Sequence, residues 1–316
     1  MFYVRRGWPT LSPRIDRGCP ALLASFARGR GFYLHWANRP SATNELLPAT
    51  HRPAPRFEIS SPPSTISKPM DTARIAELLQ PFFDVPNPNP FEDRHSEPSS
   101  CHSEQSEESA VLTQTQLQNI STYIDMLLHW NARINLTAIR GEEEIVTRHF
   151  GESLFAARHL FPRVARAPSP ASVSKTKAHA TRLIDIGSGA GFPGLPIKIW
   201  APAIELTLIE SNQKKATFLR EVARKLTLMN INVFAGRAES FSNSPAEVVT
   251  LRAVESFENA LPIAARLVAP TGRLALLISQ VQLTQAHDLT PGFKWSPPLP
   301  IPMSASRILV IGVRQT

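Results

Sequence analysis

The fold of this chain is decided by residues 182–194, which read RLIDIGSGAGFPG. A short apolar run that ends close to a carboxylate, here Asp185, is typical of a buried parallel strand. The glycines at 187, 189 and 191 allow a tight turn and let the backbone pass close to a ligand. Pro193 suits the first turn of a helix, where its missing N–H costs little. The stretch predicts a strand, a glycine turn and a helix.

A second strand is predicted at residues 205–210, which read ELTLIE and end in another carboxylate, Glu210. Glu210 follows Gly187 by 23 positions. The acid that binds ribose stands at about this distance in nucleotide-binding βαβ units. The two strands and their terminal acid therefore predict a site for an adenosine-bearing cofactor.

The glycines alone fit two cofactors. Gly189, Gly191 and Gly194 satisfy the dinucleotide pattern G-x-G-x-x-G, which favours an NAD-dependent oxidoreductase. Gly187, Gly189 and Gly191 equally satisfy the G-x-G-x-G pattern of S-adenosylmethionine sites. Asp185 favours the second cofactor, because its carboxylate can meet the ammonium group of a methionine moiety and would repel a pyrophosphate. A tight turn that binds nothing is the third interpretation.

Length and composition limit the possible number of domains and the possible classes of protein. The chain has 316 residues, of which 42% are hydrophobic and 19% charged, so two domains or one domain with extensions are expected. Residues 1–69 contain ten Lys/Arg and three Asp/Glu, so the net charge of +8 is mostly theirs and is no argument for nucleic-acid binding by the rest. Cys19 and Cys101 form neither a disulfide framework nor a zinc spacing. This cysteine usage fits a reducing cytosol, so a cytoplasmic location is expected. No apolar run reaches the length of a membrane span.

The domain organisation follows the shifts in composition. Residues 1–69 are Arg-, Pro- and Ser-rich and are expected to be disordered or spurious, with translation starting at Met70 or, alternatively, an organelle transit peptide. A helical N-terminal region is predicted over 70–161, with a disordered Pro-, Ser- and Glu-rich insertion at about 84–110. Residues 162–181 are expected to form a linker or insertion, and 182–316 an α/β domain.

The N-terminal region is predicted to contain a helix over 71–82, a helix that begins at Thr113 with an apolar stripe to Leu128, and a helix over 142–160. Thr113 and Gln116 form a capping box at the start of the second of these. His149 lies on the third, where a histidine is more often a hydrogen-bonded structural residue than a ligand. A helix over 212–228 carries Lys and Arg side chains that favour a solvated face.

Strands are further predicted over 231–235, 247–251, 273–279 and 307–313, with a helix over 257–268 between the second and third. Alternation of strands and helices predicts a doubly wound, mostly parallel sheet. Ligands bind such sheets outside the carboxyl ends of the strands.

Residues 113–313 resemble the bacterial 16S ribosomal RNA guanine-N7 methyltransferase family, also called the glucose-inhibited division protein B family. The glycine turn with Phe192-Pro193-Gly194 is the most specific part of the resemblance. The other matching residues are Trp130-Asn131, Asn135-Leu136-Thr137, His149, Glu152-Ser153-Leu154, Glu210-Ser211, Lys214-Lys215, Phe218-Leu219, Arg237-Ala238-Glu239 and Arg252-Ala253.

The resemblance implies a class I, Rossmann-like methyltransferase fold with a seven-stranded sheet behind a small helical N-terminal region. It implies S-adenosyl-L-methionine as the cofactor and a guanine of 16S rRNA, in the decoding-region loop of the small ribosomal subunit, as the acceptor. No metal or membrane partner is implied, and a monomer is expected. The cofactor-binding residues that it implies are Gly187, Gly189, Phe192, Glu210, Ala238, Glu239 and Arg252.

No catalytic side chain is expected, because guanine N7 carries an in-ring lone pair and loses no proton before attack. Holding N7 in line with the sulfonium methyl group is then sufficient. Arg252 is expected to contact cofactor or RNA phosphate, or else to form a structural pair with a carboxylate.

Two departures from the family pattern keep an alternative open. The family usually has a Lys-Gly step at the end of the fifth strand, where this chain has Ile278 and Ser279, and Glu152 stands where Asp is usual. The loss of a cation near the RNA favours, as the alternative, a catalytically weakened homologue that binds RNA or cofactor.

Overall fold

A computed structural model of the protein describes residues 69–85, 112–162, 180–254 and 256–315. Its strands are β1 (Arg182–Ile186), β2 (Glu205–Ile209), β3 (Ile231–Phe234), β4 (Ala246–Arg252), β5 (Val268–Ser279), β6 (Phe293–Trp295), β7 (Leu299–Pro300) and β8 (Arg307–Arg314). They form one sheet in the order β3-β2-β1-β4-β5-β8-β6, and β7 pairs with β8. The five strands β1 to β5 pair in parallel, whereas β6, β7 and β8 are antiparallel to their neighbours.

This topology confirms the doubly wound sheet that alternating strands and helices predict. The seven expected strands are accompanied by the two-residue β7. The strand order reverses between β1 and β4, which opens a crevice at their carboxyl ends. No element was predicted between residues 280 and 306, and there the structure adds the short α8 (Leu283–Leu289) and β6.

Helices cover both faces of the sheet. Besides α8, the α-helices of the described residues are α1 (Thr72–Leu79), α2 (Gln114–Asn131), α3 (Glu142–Glu144), α4 (Glu152–Leu160), α5 (Gly194–Trp200), α6 (Gln213–Lys225) and α7 (Phe257–Leu267). One face packs against α7 in a core that includes Ile184 and Val249. The opposite face, with Leu183 and Val248, shares one hydrophobic cluster with α1, α2, α4 and α5. The N-terminal helices therefore pack on the sheet through a common core.

The capping box at the start of α2 is confirmed. The Thr113 N–H donates to Gln116 Oε1 at 3.0 Å, and the Gln116 N–H donates to Thr113 Oγ1 at 3.3 Å. Because these two bonds satisfy N–H groups that an α-helix leaves open, they fix where α2 begins.

The helix predicted over 142–160 is interrupted by a π-helix of seven residues, Ile145–Gly151, between α3 and α4. Short π-helical stretches often lie at functional sites. The segment ends at Gly151, where a Cβ atom would lie 2.3 Å from Cε2 of Phe82. Because Gly151 has no side chain, the ring of Phe82, which follows α1, can pack directly on the π-helix.

The expectations for residues 1–68, 86–111 and 163–179 concern parts of the chain outside the described residues. The proposed leader and both insertions therefore stay predictions. Across the helices that the structure does describe, none has the length and apolar character needed to cross a membrane.

Candidate functional site: a cofactor cleft at the strand ends

The glycine turn after β1 uses backbone conformations that suit glycine. Gly187, Gly189 and Gly191 have φ of 66°, 56° and 95°, in the left-handed region that L side chains rarely adopt. At Gly191 a Cβ atom would also lie 2.3 Å from Oη of Tyr123. The turn is attached to the neighbouring strand, because the Ser188 N–H donates to the carbonyl oxygen of Ile209 at 3.1 Å.

Two cavities open beside this turn. The larger, of about 690 Å³, is lined by five of the predicted residues: Gly187, Gly189, Phe192, Glu210 and Arg252. The smaller, of about 320 Å³, is lined by the other two, Ala238 and Glu239, and also by Gly187. Both cavities are bordered by Ser211 and Val254 as well. The structure thus gathers all seven predicted residues around one cleft at the carboxyl ends of β1 to β4.

Glu210 is held in place by the backbone. Its Oε2 accepts from the Gly189 N–H at 2.8 Å, and its Oε1 accepts from the Asn212 N–H at 2.7 Å. Its side chain lines the larger cavity, yet the residue is only 7% exposed. A carboxylate with lone pairs beyond these two bonds can still accept from ligand hydroxyls.

Asp185 does not face either cavity, contrary to the expectation that it meets a ligand ammonium group. It is 0% exposed, its Oδ1 accepts from Thr250 Oγ1 at 2.8 Å and its Oδ2 accepts from the Gly194 N–H at 3.2 Å. Burial raises the pKa of this carboxyl to about 6, against the hydrogen bonds from Thr250, Ser188 and Gly194. Asp185 therefore ties the start of α5 to the sheet behind the glycine turn and is not among the residues that line the two cavities.

Phe192 stands in a stack of rings. Its ring is parallel to that of Tyr123 at 5.4 Å between centroids, and on the cavity side it stacks on His149 at 4.6 Å. Phe150 meets the Phe192 ring edge-on at 5.2 Å. Tyr123 also donates from its hydroxyl to the carbonyl oxygen of Ala190 in the glycine turn. Helix α2 and the π-helix thereby fix one wall of the cleft.

Arg252 has the structural carboxylate partner that was one of its two expectations, and it also lines the larger cavity. Its Nη2 lies 2.9 Å from Glu152 Oε2 and donates to the carbonyl oxygen of Arg148 at 2.7 Å. Oε1 of the same Glu152 lies 2.5 Å from Nη2 of Arg307. The Glu152 side chain is only 1% exposed, so one buried carboxylate bridges two guanidinium groups.

His149 is hydrogen-bonded, as expected, and its ring also lines the cavity. Burial, and then the nearby Arg252, Arg148 and Arg307, lower the pKa of this imidazole to about 3. His149 is therefore neutral at physiological pH.

Four basic residues line the cavity: Arg148, Lys215, Arg252 and Arg307. Arg148, Arg307 and Lys215 were not predicted as site residues, and Lys215 was expected on a solvated face. Each belongs to a segment whose position depends on long-range packing. Arg307 starts β8 and pairs in register with Ser279, the residue at the end of β5. The cleft therefore has a cation beside the place where the family lysine is missing. Ile278 itself is buried in the core on the other face of the sheet.

Among the described residues, no group of three or more His, Cys, Asp or Glu side chains is arranged to hold a metal ion.

The strand order, the glycine turn and the acid at the end of β2 are those expected of a class I S-adenosylmethionine-dependent methyltransferase. The model of the family GidB, "rRNA small subunit methyltransferase G", matches residues 116–293, which is more than half of the chain. The chain belongs to this family.

Curated relatives share the family name. The chain is 42% identical over 173 residues to the ribosomal RNA small subunit methyltransferase G of Roseiflexus castenholzii, covering 51% of this chain and 67% of the relative. It is 39% identical over 153 residues to that of Streptococcus pyogenes serotype M12 (strain MGAS2096), covering 47% of this chain and 59% of the relative.

Solved structures of methyltransferases are similar at lower identity. A crystal structure of TYW2 from M. jannaschii in complex with AdoMet has a TM-score of 0.37 and 13% identity, covering 43% of this chain and 70% of that one. A methyltransferase from Pyrococcus furiosus has a TM-score of 0.39 and 14% identity, covering 43% and 76%. Both TM-scores are below 0.5, and the fold of this chain follows from its own strand order.

Proposed function

We propose that this protein transfers the methyl group of S-adenosylmethionine to N7 of a guanine in 16S rRNA. The observation that carries the proposal is the pair of adjoining cavities at the carboxyl ends of β1 to β4. One of them is flanked by the acid Glu239, and the other combines the carboxylate of Glu210 with four basic side chains. The family name and the relatives support the choice of ribosomal RNA as the acceptor.

The described residues fit the cofactor. Glu210 would accept hydrogen bonds from the ribose hydroxyls, and the left-handed Gly187 and Gly189 let the backbone approach closely. Ala238 and Glu239 would flank the adenine in the smaller cavity, and Phe192 would pack on the ligand in the larger one. Bound there, S-adenosylmethionine supplies an activated methyl group.

The chemistry places few demands on side chains. N7 attacks with a lone pair and loses no proton, so the reaction requires no general base. The imidazole of His149 lines the larger cavity. Its pKa is lowered to about 3, so it is a weak base. Asp185 is enclosed behind the turn. The contribution of the protein is to hold N7 in line with the methyl group and to exclude other orientations.

The basic residues at the cavity favour an RNA acceptor. Arg148, Lys215, Arg252 and Arg307 outnumber the carboxylates of Glu152 and Glu210 around the cavity. Cationic side chains of this kind position a nucleic acid through its phosphates. A substrate in the small ribosomal subunit would place the protein in the cytoplasm.

The test is transfer of a labelled methyl group from S-adenosylmethionine to small-subunit RNA that lacks the modification. Gly187→Arg is the inactive control, because Gly187 has φ of 66° and its Cβ would lie 3.0 Å from Cγ1 of Val254. Label on the RNA above this control, mapped to N7 of one guanine, is expected. If the RNA carries no more label than with the Gly187→Arg control, the proposal is refuted. Tight binding of S-adenosylmethionine without methyl transfer would indicate the catalytically weakened homologue.

A second variant tests the cofactor site alone. Glu210→Gln keeps an acceptor for one backbone N–H but removes the charge from the hydrogen bonds to ribose. The affinity for S-adenosylmethionine in calorimetry is expected to fall by about tenfold or more, the loss of one charge-assisted hydrogen bond. Unchanged affinity would show that Glu210 does not bind the ribose.

A further inference from the structure

His149 occupies an unusual electrostatic position. Its imidazole lies in the wall of the cleft, and the charged groups around it are Arg148 on the same π-helix, Arg252 at the end of β4, Arg307 at the start of β8 and Glu152 at the start of α4. Three guanidinium groups and one carboxylate thus surround a ring that has no charge of its own.

The contacts of the ring define its tautomer. Nδ1 lies 3.4 Å from both Nη1 and Nη2 of Arg252, which can only donate. Nδ1 must therefore present its lone pair to Arg252, and the proton of the neutral ring is on Nε2. Nε2 lies 2.8 Å from Thr137 Oγ1 and donates to it. The same oxygen accepts from the Ile139 N–H at 3.1 Å, which fixes its orientation.

These contacts connect the ring to the wall of the cleft on both sides. One face of the imidazole stacks on Phe192 with an angle of 16° between the ring planes. Its edge receives Arg252, whose guanidinium carbon lies 6.0 Å from the centre of the same Phe192 ring. His149 therefore contacts both Phe192 and Arg252.

We propose that His149 is a positioning residue for methyl transfer: as a neutral acceptor for Arg252 and a donor to Thr137, it holds Arg252 and Phe192 at the cleft in the arrangement that the bound substrates require. The role in transfer depends on the function proposed above. A charged imidazole would repel the three arginines, so this arrangement requires the neutral ring. The seven-residue π-helix brings His149, Arg148 and Phe150 to the cleft from one short segment.

Two substitutions separate the stack from the hydrogen bond. His149→Phe keeps a ring that can stack on Phe192 and removes both polar contacts. His149→Asn removes the ring, but its Oδ1 lies close to the place of Nδ1 and can accept from Arg252. If His149 positions Arg252, kcat falls by about tenfold or more in His149→Phe, and His149→Asn recovers part of it. In His149→Phe, which keeps the stack on Phe192, the affinity for S-adenosylmethionine, measured by calorimetry, is expected to stay within about threefold.

The order of the two variants decides between positioning and simple packing. If His149→Phe is as active as the wild type, or more active than His149→Asn, the acceptor has no role and the proposal is overturned. Thermal unfolding of both variants shows whether each is folded before its kinetics are compared.

A spectroscopic measurement tests the neutral ring without any substrate. In the full chain labelled with ¹⁵N-histidine, the signals that His149→Asn removes belong to His149. They are expected to show the Nε2–H tautomer and to stay unchanged between about pH 8 and pH 5. A titration with a midpoint near 6.5, the value of an exposed histidine, would overturn the proposal. This result stands even if the wild type transfers no methyl group, an outcome that would instead refute the proposed function.

Discussion

The ion pairs between Glu152 and its two arginines offer a direct test of how burial changes the contribution of an ion pair to the free energy of unfolding. In Glu152→Gln the side chain keeps its size but loses the charge that Arg252 and Arg307 face. At an effective dielectric constant of about 20, two unit charges about 4 Å apart attract by roughly 4 kcal/mol. Removing one partner of a buried pair leaves an uncompensated charge and costs about 3–5 kcal/mol. We expect the free energy of unfolding to fall by that amount.

The matched control is Glu247→Gln, at a second Arg–Glu contact in the same sheet. Its carboxylate lies 2.7 Å from Arg182, but the two side chains are 46% and 40% exposed. Exposed pairs contribute about 0–1 kcal/mol, so this variant is expected to lose at most about 1 kcal/mol. Glu152→Asp should lie between the two, because it keeps the charge but is one methylene too short to reach both arginines.

Urea unfolding of the full chain, followed by far-ultraviolet circular dichroism, measures all three variants under the same conditions. The slope against urea must stay the same for the free energies to be compared. Equal losses in Glu152→Gln and Glu247→Gln would refute the reasoning, since burial is the property that distinguishes the two pairs.

Two further predictions concern stability. Because burial raises the pKa of Asp185 to about 6 from 3.8, the native state binds its proton more tightly than the unfolded chain, and ionisation destabilises the wild type by up to about 3 kcal/mol as pH rises from about 4 to 6. Asp185→Asn lacks this term, so its unfolding free energy should gain on the wild type between pH 4 and 7; a difference that does not vary with pH contradicts the raised pKa. Gly151→Ala would place a Cβ 2.3 Å from the Phe82 ring, whereas at Gly292 nothing lies within 4 Å. The first should lose about 1–3 kcal/mol and lower the unfolding temperature, and Gly292→Ala should stay within about 0.5 kcal/mol; equal unfolding temperatures would count against the close packing.

Much of the sheet could be predicted because its signals are local. Apolar runs at residues 182–186 and 205–209, glycines at the turn and helical spacing between them all follow from neighbours along the chain. The expected cofactor residues came from the family resemblance, and the topology explains why they lie together. In a doubly wound sheet, residues just after the strands meet at one edge, so Glu210, Glu239 and Arg252 approach each other once the strand order is known.

Other features have no local signal. The segment 142–160 was predicted as one regular helix, but residues Ile145–Gly151 form a π-helix. This π-helix packs against Phe82, a contact that no local sequence signal shows. Asp185 was expected at the ligand, yet its carboxylate faces Thr250, which is 65 residues away. The spacing between Asp185 and the first glycine does not show whether the Asp185 side chain points toward the cavity or away from it.

Sequence by itself determined that this chain has a doubly wound sheet with a glycine turn after its first strand, because the signals for strand, turn and helix lie in adjacent residues. Only the tertiary structure decided how charge is distributed around that turn. Glu152 meets Arg252 across 100 residues, and Arg307 joins them from the last strand. Such contacts depend on strand order and packing, since neither arginine has the carboxylate nearby along the chain.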